Sequence, residues 1–216
     1  MDGQIKNALK KHLKGITETT LDSLMVKLNL IPADRVFLVI DLTTSLAAIS
    51  LRSAMEFLSV VPEVSRLIGQ SELRTWGEIG KRLASTSPEA AIDFFQSSLP
   101  ILNAITPSFL LRSLTLISRQ AALSTTLAVD CFKSFPEVLA RFKEEPITAR
   151  ILNLCYEVSQ HSVKHSCDLL RKAPDVINHL RTIEDYENKL INQMLDLTTA
   201  FVHRSGGTAA EFFISI

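Results

Sequence analysis

His161 and His165 stand four residues apart, the spacing that puts two imidazoles on one side of a helix. Asp168 follows a turn later, and Cys155 and Cys167 are near in sequence. Such a set could ligate a transition metal, and a cysteine beside a histidine could act as a nucleophile. The neighbouring residues support neither reading. Ser162, Val163 and Lys164 lie between the histidines, without the glutamate of a zinc-peptidase helix. No orienting acid or oxyanion-forming glycine turn accompanies a Cys–His pair. A solvated turn between helices is the expectation. Further upstream, RVFLVIDLTTSL runs from apolar residues into Asp41, Thr43 and Ser45, oxygen ligands of the kind hard cations favour. Val36, Val39, Leu42 and Leu46 in the same segment recur at helical steps, so a helix is expected there. No metal, cofactor or catalytic residue is assigned.

The polar feature with the clearest pattern is a recurring acid. EFLSVVPEV begins at Glu56, DFFQSSLPIL at Asp93, DCFKSFPEV at Asp130 and DLLRKAPDV at Asp168, and EFF at Glu211 starts a fifth copy. The acids are 37, 37, 38 and 43 residues apart. Self-similarity at that period marks a stacked helical repeat, in which each unit covers the apolar side of the one before. In register, Glu56, Asp93, Asp130 and Asp168 line one side of successive helices. They would offer an acidic groove to a basic peptide or partner helix, or pair with bases such as Lys133 and Arg171.

The elements that carry these acids can be read from apolar spacing. Leu73, Trp76, Ile79, Gly80 and Leu83 form one stripe, termed helix A, with Trp76 in the core register. Its counterparts carry Leu110, Leu111, Leu114 and Ile117, then Ile147, Ile151, Leu154, Cys155 and Val158, then Leu190, Ile191, Met194, Leu195 and Leu197. A first copy is expected from Asp34 to Ala48. Helix B begins at signals such as Ser87-Pro88 and Gly206-Gly207-Thr208 and then meets Pro62, Pro100, Pro136 or Pro174. Because proline disfavours helix in the preceding residue, these read as a kink or the restart of a short third helix. Phe57, Phe94, Phe132 and Phe212 are expected at equivalent buried positions. Residues 1–31 read as a capping hairpin, with stripes Ile5, Ala8, Leu9, Leu13 and Leu21, Leu24, Met25, Leu28 and a stop at Gly15. Residues 32–216 read as about four units and the start of a fifth in one elongated domain.

Composition narrows the function classes. Lys plus Arg and Asp plus Glu are balanced at 23 each, which argues against a general polyanion binder. Lys6, Lys10, Lys11 and Lys14 make one side of the first helix basic. Three cysteines, Cys131, Cys155 and Cys167, fit a reducing compartment, and the cytoplasm is the expected location. No apolar stretch approaches the ~20 residues that span a bilayer.

The phrase A-x-[DE]-F-F-x(3,4)-P-x-[VL] is carried by Ala54 to Val64, Ala91 to Leu102, Ala128 to Val138 and Cys167 to Val176, and begun by Ala209 to Phe213. It resembles the helical repeats preceding the von Willebrand factor A domain in bacterial proteins related to nitric-oxide-reductase activation proteins. More generally it is similar to HEAT and armadillo repeats. The resemblance implies an adaptor beside a metal-binding domain and a partner ATPase, with no catalytic residues to carry over. This chain holds no complete A domain. The expectation is an all-α, right-handed solenoid of about 37–38-residue units acting as a non-catalytic protein-binding scaffold. The alternative is a HEAT-like nucleic-acid enzyme such as a DNA glycosylase, which neutral charge disfavours. The copy begun at Glu211 carries no proline, so either a longer protein or a second copy of the chain is expected to cover it.

Overall fold

The computed structural model describes residues 6, 10, 17–142, 144–183 and 188–216. Among these residues regular structure is entirely helical, and backbone contacts gather the chain into two compact units, Met1–Ala104 and Ile105–Ile216.

In the first unit α1 (Glu18–Leu28) and a 3-10 turn (Ala33–Arg35) precede α2 (Val36–Ile49), α3 (Leu51–Leu67), α4 (Gln70–Thr86) and α5 (Pro88–Ala104). The A helices α2 and α4 pack side by side, and so do the B helices α3 and α5, while α1 lies against α3. This two-layer order follows from the apolar stripes. Val36, Val39, Leu42 and Leu46 are buried on α2, and Leu73, Trp76, Ile79 and Leu83 are buried on α4. At the centre, the Phe57 ring stacks on Trp76 at 5.2 Å, and Phe95 meets Trp76 edge-on at 5.0 Å. The Trp76 Nε1–H donates to Ser98 Oγ at 2.8 Å, which satisfies the one polar atom of this aromatic cluster. Gly80 makes room for Phe95: a Cβ built there would stand 2.5 Å from Cε1 of that ring.

The second unit repeats the order with α6 (Pro107–Ala121), α7 (Thr125–Ala140), α8 (Glu145–Ser159), α9 (Val163–Thr182), α10 (Lys189–Val202) and α11 (Gly206–Ile214). The A helices α6, α8 and α10 pack in sequence, as do the B helices α7, α9 and α11. Every B helix of both units begins after a serine in extended backbone: Ser50, Ser87, Ser124, Ser162 and Ser205. Four of their hydroxyls accept an orphan amide of the first turn, from Ser53, Ala90, His165 and Thr208. These serines stand six residues before the acids and have the same spacing, so each copy starts at the same phase, although the Ser124 hydroxyl makes no cap hydrogen bond.

Several expectations need correction. Pro62, Pro100, Pro136 and Pro174 lie inside continuous helices, so there is no separate third helix. Each proline removes an amide from the ladder, but the burial of Val64, Leu102, Val138 and Val176 beyond it holds the helix together. Serine hydroxyls in the preceding turn donate to helix carbonyls there, Ser59 to Glu56, Ser97 to Asp93 and Ser134 to Cys131. The phenylalanines are not one equivalent set. Phe57, Phe94 and Phe132 are fully buried, but Phe132 stands two residues after its acid rather than one. Phe212 is 38% exposed and Phe213 takes the interior place. Leu111 and Leu197, expected in the A stripe, are exposed, and Leu190 and Met194 are half-buried.

Leu21, Leu24 and Leu28 are buried on α1 and Met25 is half-buried, as its stripe predicts. The stripe Ile5, Ala8, Leu9, Leu13, the stop at Gly15, and Lys11 and Lys14 lie outside the described residues. Lys6 pairs with Asp22 at 2.5 Å, and Lys10 pairs with Glu18. The hydrogen bond to Asp22 raises the Lys6 ammonium, and the one from Lys10 lowers the Glu18 carboxyl. These two lysines thus already have anionic partners within the chain.

Candidate functional site on the B helices

Because each acid follows the serine that precedes its helix by six residues, all of them share one helical phase. In the first unit Glu56 on α3 and Asp93 on α5 are both half-buried, on helices that pack together. The Ser59 hydroxyl donates to Glu56 Oε1 at 3.2 Å, and Ser97 donates to the Asp93 carbonyl at 2.7 Å. In the second unit Asp130 on α7 is exposed, Asp168 on α9 is half-buried and Glu211 on α11 is exposed.

The neighbours of these acids differ between the units. Three residues on, the first unit has Ser59 and Gln96, whereas the second has Lys133 and Arg171. Residues three apart share a helix face, so in the second unit Asp130 and Asp168 alternate with bases, whereas Glu211 is followed by Ile214. Asp168 lines a cleft of about 470 Å³ between α9 and α11, together with Lys164, His165, Arg171, Lys172 and Glu211, with Ile214 supplying an apolar patch. Its charge is mixed rather than acidic throughout.

The histidines are separated by the cap. His161 is exposed in the turn before Ser162, while His165 lies in the first turn of α9. The two imidazoles therefore do not share a helix face. His165 Nδ1 lies 2.8 Å from Ser162 Oγ, and its Nε2 lies 3.4 Å from Glu211 Oε1. The glycines that open α11 allow this approach: a Cβ on Gly206 would fall 2.7 Å from the His161 ring, and one on Gly207 would fall 3.2 Å from His165. His165 thus joins two B helices, which the expected solvated turn did not include.

Asp41, Thr43 and Ser45 do not converge either. They lie on helix α2, where Asp41 is exposed and buried Thr43 donates to the Val39 carbonyl at 2.7 Å. Among the described residues, no group of three or more His, Cys, Asp or Glu is arranged to hold a metal ion.

All three cysteines are buried in the second unit. Burial pushes the Cys155 thiol well above its ordinary value, which opposes nucleophilic use. The hydrogen bond shared with Cys167, together with burial, raises Cys131, and that same bond holds Cys167 lower, aided by Arg171. Beside them lies a buried polar link that apolar spacing alone missed. Gln120 Nε2 donates to Ser166 Oγ at 3.1 Å, and Ser166 donates to the Cys155 carbonyl at 2.7 Å, tying α6, α9 and α8 together. Gln120 follows Ile117 by three residues in the core register, and a polar residue in such a place must find a partner. A second cleft, of about 520 Å³, opens between α6 and α8 and accounts for the exposure of Leu111 beside Leu152 and Tyr156.

Among the described residues, no helix is long and apolar enough to cross a membrane. Compared with protein-family models, with curated proteins and with solved structures, the chain matches none.

Proposed function

We propose that this chain is a non-catalytic binding module, a right-handed helical solenoid that receives a protein partner across its B helices. The observation that carries the reading is the recurrence of acids at one helical phase on successive B helices, each six residues after the serine that precedes its helix. Helical repeats of this kind place function in the side chains of their exposed surfaces rather than in a catalytic pocket. Glu56 and Asp93 in the first unit, and Asp130 and Asp168 in the second, are the residues assigned to the partner. The bases Lys133, Arg171 and Lys172 modify the chemistry of that partner. A helix or extended segment with alternating charge, basic toward Glu56 and Asp93, complements the surface better than a uniformly basic peptide. The adaptor role beside an ATPase that the resemblance implies is compatible with this reading.

The test uses two synthetic peptides of equal length, one uniformly Lys/Leu and one alternating Lys and Glu along the polar face. Their affinities for the chain and for the Asp93→Lys/Asp130→Lys variant are measured at low and moderate salt. The reading expects the alternating peptide to bind the wild type more tightly. The variant should lose about tenfold or more, with the loss shrinking as salt screens the charges. Equal binding of both peptides to both proteins would remove the assignment.

A further inference from the structure

The sequence Asp41-Leu42-Thr43-Thr44 on α2 recurs as Asp196-Leu197-Thr198-Thr199 on α10. The two segments also share local structure: Thr43 and Thr198 are both buried and donate to carbonyls one turn back, of Val39 and Met194. Their leucines differ sharply. Leu42 and Leu46 are 1% and 0% exposed, whereas Leu197 and Phe201 at the same register are 50% and 44% exposed. The cause is visible on α2, because α4 lies against it closely enough that a Cβ on Gly77 would fall 2.5 Å from Leu42 Cδ1. Among the described residues, α8 is the A helix that packs on α10, and Leu197 and Phe201 lie outside that contact. Phe212 continues the same apolar surface, meeting Phe201 edge-on at 5.6 Å. It is 38% exposed one residue after its acid, where Phe57 and Phe94 are fully buried.

A complementary face exists on α2. The register that aligns the two phrases sets Phe37 and Asp41 of α2 on Asn192 and Asp196 of α10, the residues through which α10 meets Arg150 of α8. Phe37 is 73% exposed, the most exposed large apolar side chain described. Charge follows the same order between successive helices of one layer, where the cation belongs to the earlier helix and the acid to the later one, Arg150 with Asp196 and Arg141 with Asp175. The pair of Arg181 on α9 with Glu144 before α8 joins the two layers and runs the other way. On the uncovered faces, exposed His203 and Arg204 follow Phe201, while exposed Asp34 and Asp41 flank Phe37.

We infer that the α10–α11 face is a self-association surface whose occupant is the α2 face of a second copy, joined head to tail. Leu197, Phe201 and Phe212 cover Phe37, and Arg204 approaches Asp34 or Asp41. The contact joins two different surfaces, so it builds rings or open chains rather than a symmetric dimer. It is independent of the acidic residues assigned to the protein partner.

The experiment is sedimentation velocity over a wide concentration range on the 216-residue chain, on Phe37→Asp and on Phe201→Asp. The wild type forms species larger than a dimer. Each variant alone shifts its association midpoint upward by about 30-fold or more, as loss of a central interface aromatic does. Mixed together, the two variants form a one-to-one dimer and nothing larger, because each supplies the face that the other lacks. That recovery also demonstrates that both variants fold, and Leu197→Glu substitutes for Phe201→Asp if its melting temperature falls. A wild type that stays monomeric overturns the inference. So does association that is lost on changing Phe201 or Leu197 but unaffected by Phe37→Asp, which would mean that the α10–α11 face meets something other than α2.

Discussion

Replacing Gly80 by alanine sets two effects of opposite sign against each other. In a helix interior, alanine is favoured over glycine by about 1 kcal/mol, so propensity alone expects a more stable protein. The packing expects the reverse. The added Cβ would stand 2.5 Å from Cε1 and 2.9 Å from Cε2 of Phe95. Carbon atoms rest about 3.5 Å apart or more, so the ring must retreat by at least about 1 Å. It has no free direction, since Phe57, Trp76 and Phe94 surround it at 5.4, 5.0 and 5.6 Å between ring centres. Overpacking of this kind costs about 1–3 kcal/mol, and a ring held on three sides belongs at or above the upper end. The net expectation is a loss of about 2 kcal/mol, or roughly 10 °C in melting temperature for a unit of this size. Trp76 is the chain's one tryptophan and lies fully buried in the same cluster, so its fluorescence during guanidinium unfolding reports on the first unit. Adding Phe95→Leu should recover part of the loss, a coupling that independent sites would lack. A Gly80→Ala protein as stable as the wild type, or more stable, would refute the packing described here.

Phe213→Ala should destabilise the second unit by about 3–5 kcal/mol and Phe212→Ala by under about 1, which calorimetry separates because only Phe213 is fully buried. The Arg35 guanidinium donates to the Ser65 and Ile68 carbonyls at the C-terminal end of α3, so Arg35→Met should cost about 1.5–3 kcal/mol in urea unfolding. The Cys155 thiol, raised by burial, should resist a neutral thiol reagent at pH 7 until the second unit unfolds. Labelling followed by mass spectrometry should therefore find Cys155 modified at the rate of unfolding.

Much of this fold was legible because its governing signal is local. The stripe Leu73, Trp76, Ile79, Leu83 defines α4 without reference to any other residue, and the period of the acids announces the stacking. What escaped depends on contacts distant in sequence. Proline 62 has the same local preferences in a kinked segment as in a continuous helix, and the burial of Val61 and Val64 decides between them. Phe213 is buried two residues after its acid, as Phe95 and Phe132 are, whereas the burial of Phe57 and Phe94 one residue after theirs depends on neighbours that Phe212 lacks among the described residues. At the candidate site, the phase of the acids was readable, but the link from His165 to Glu211 was not. It depends on Gly206 and Gly207 admitting α11 close to the turn at Ser162. The bonds of Arg35 to the end of α3 cross 30 residues or more, beyond the reach of any local pattern.

The central claim is that the acids on the B helices hold a protein partner. Its most direct test is affinity capture from the native source with wild-type chain and with Asp93→Lys/Asp130→Lys, followed by a binding titration of the main captured protein. The account predicts a defined protein that binds the wild type and loses about tenfold or more in affinity for the variant, while the two chains melt within a few degrees of each other. Equal affinity for both chains, or capture of nucleic acid in place of protein, would contradict it.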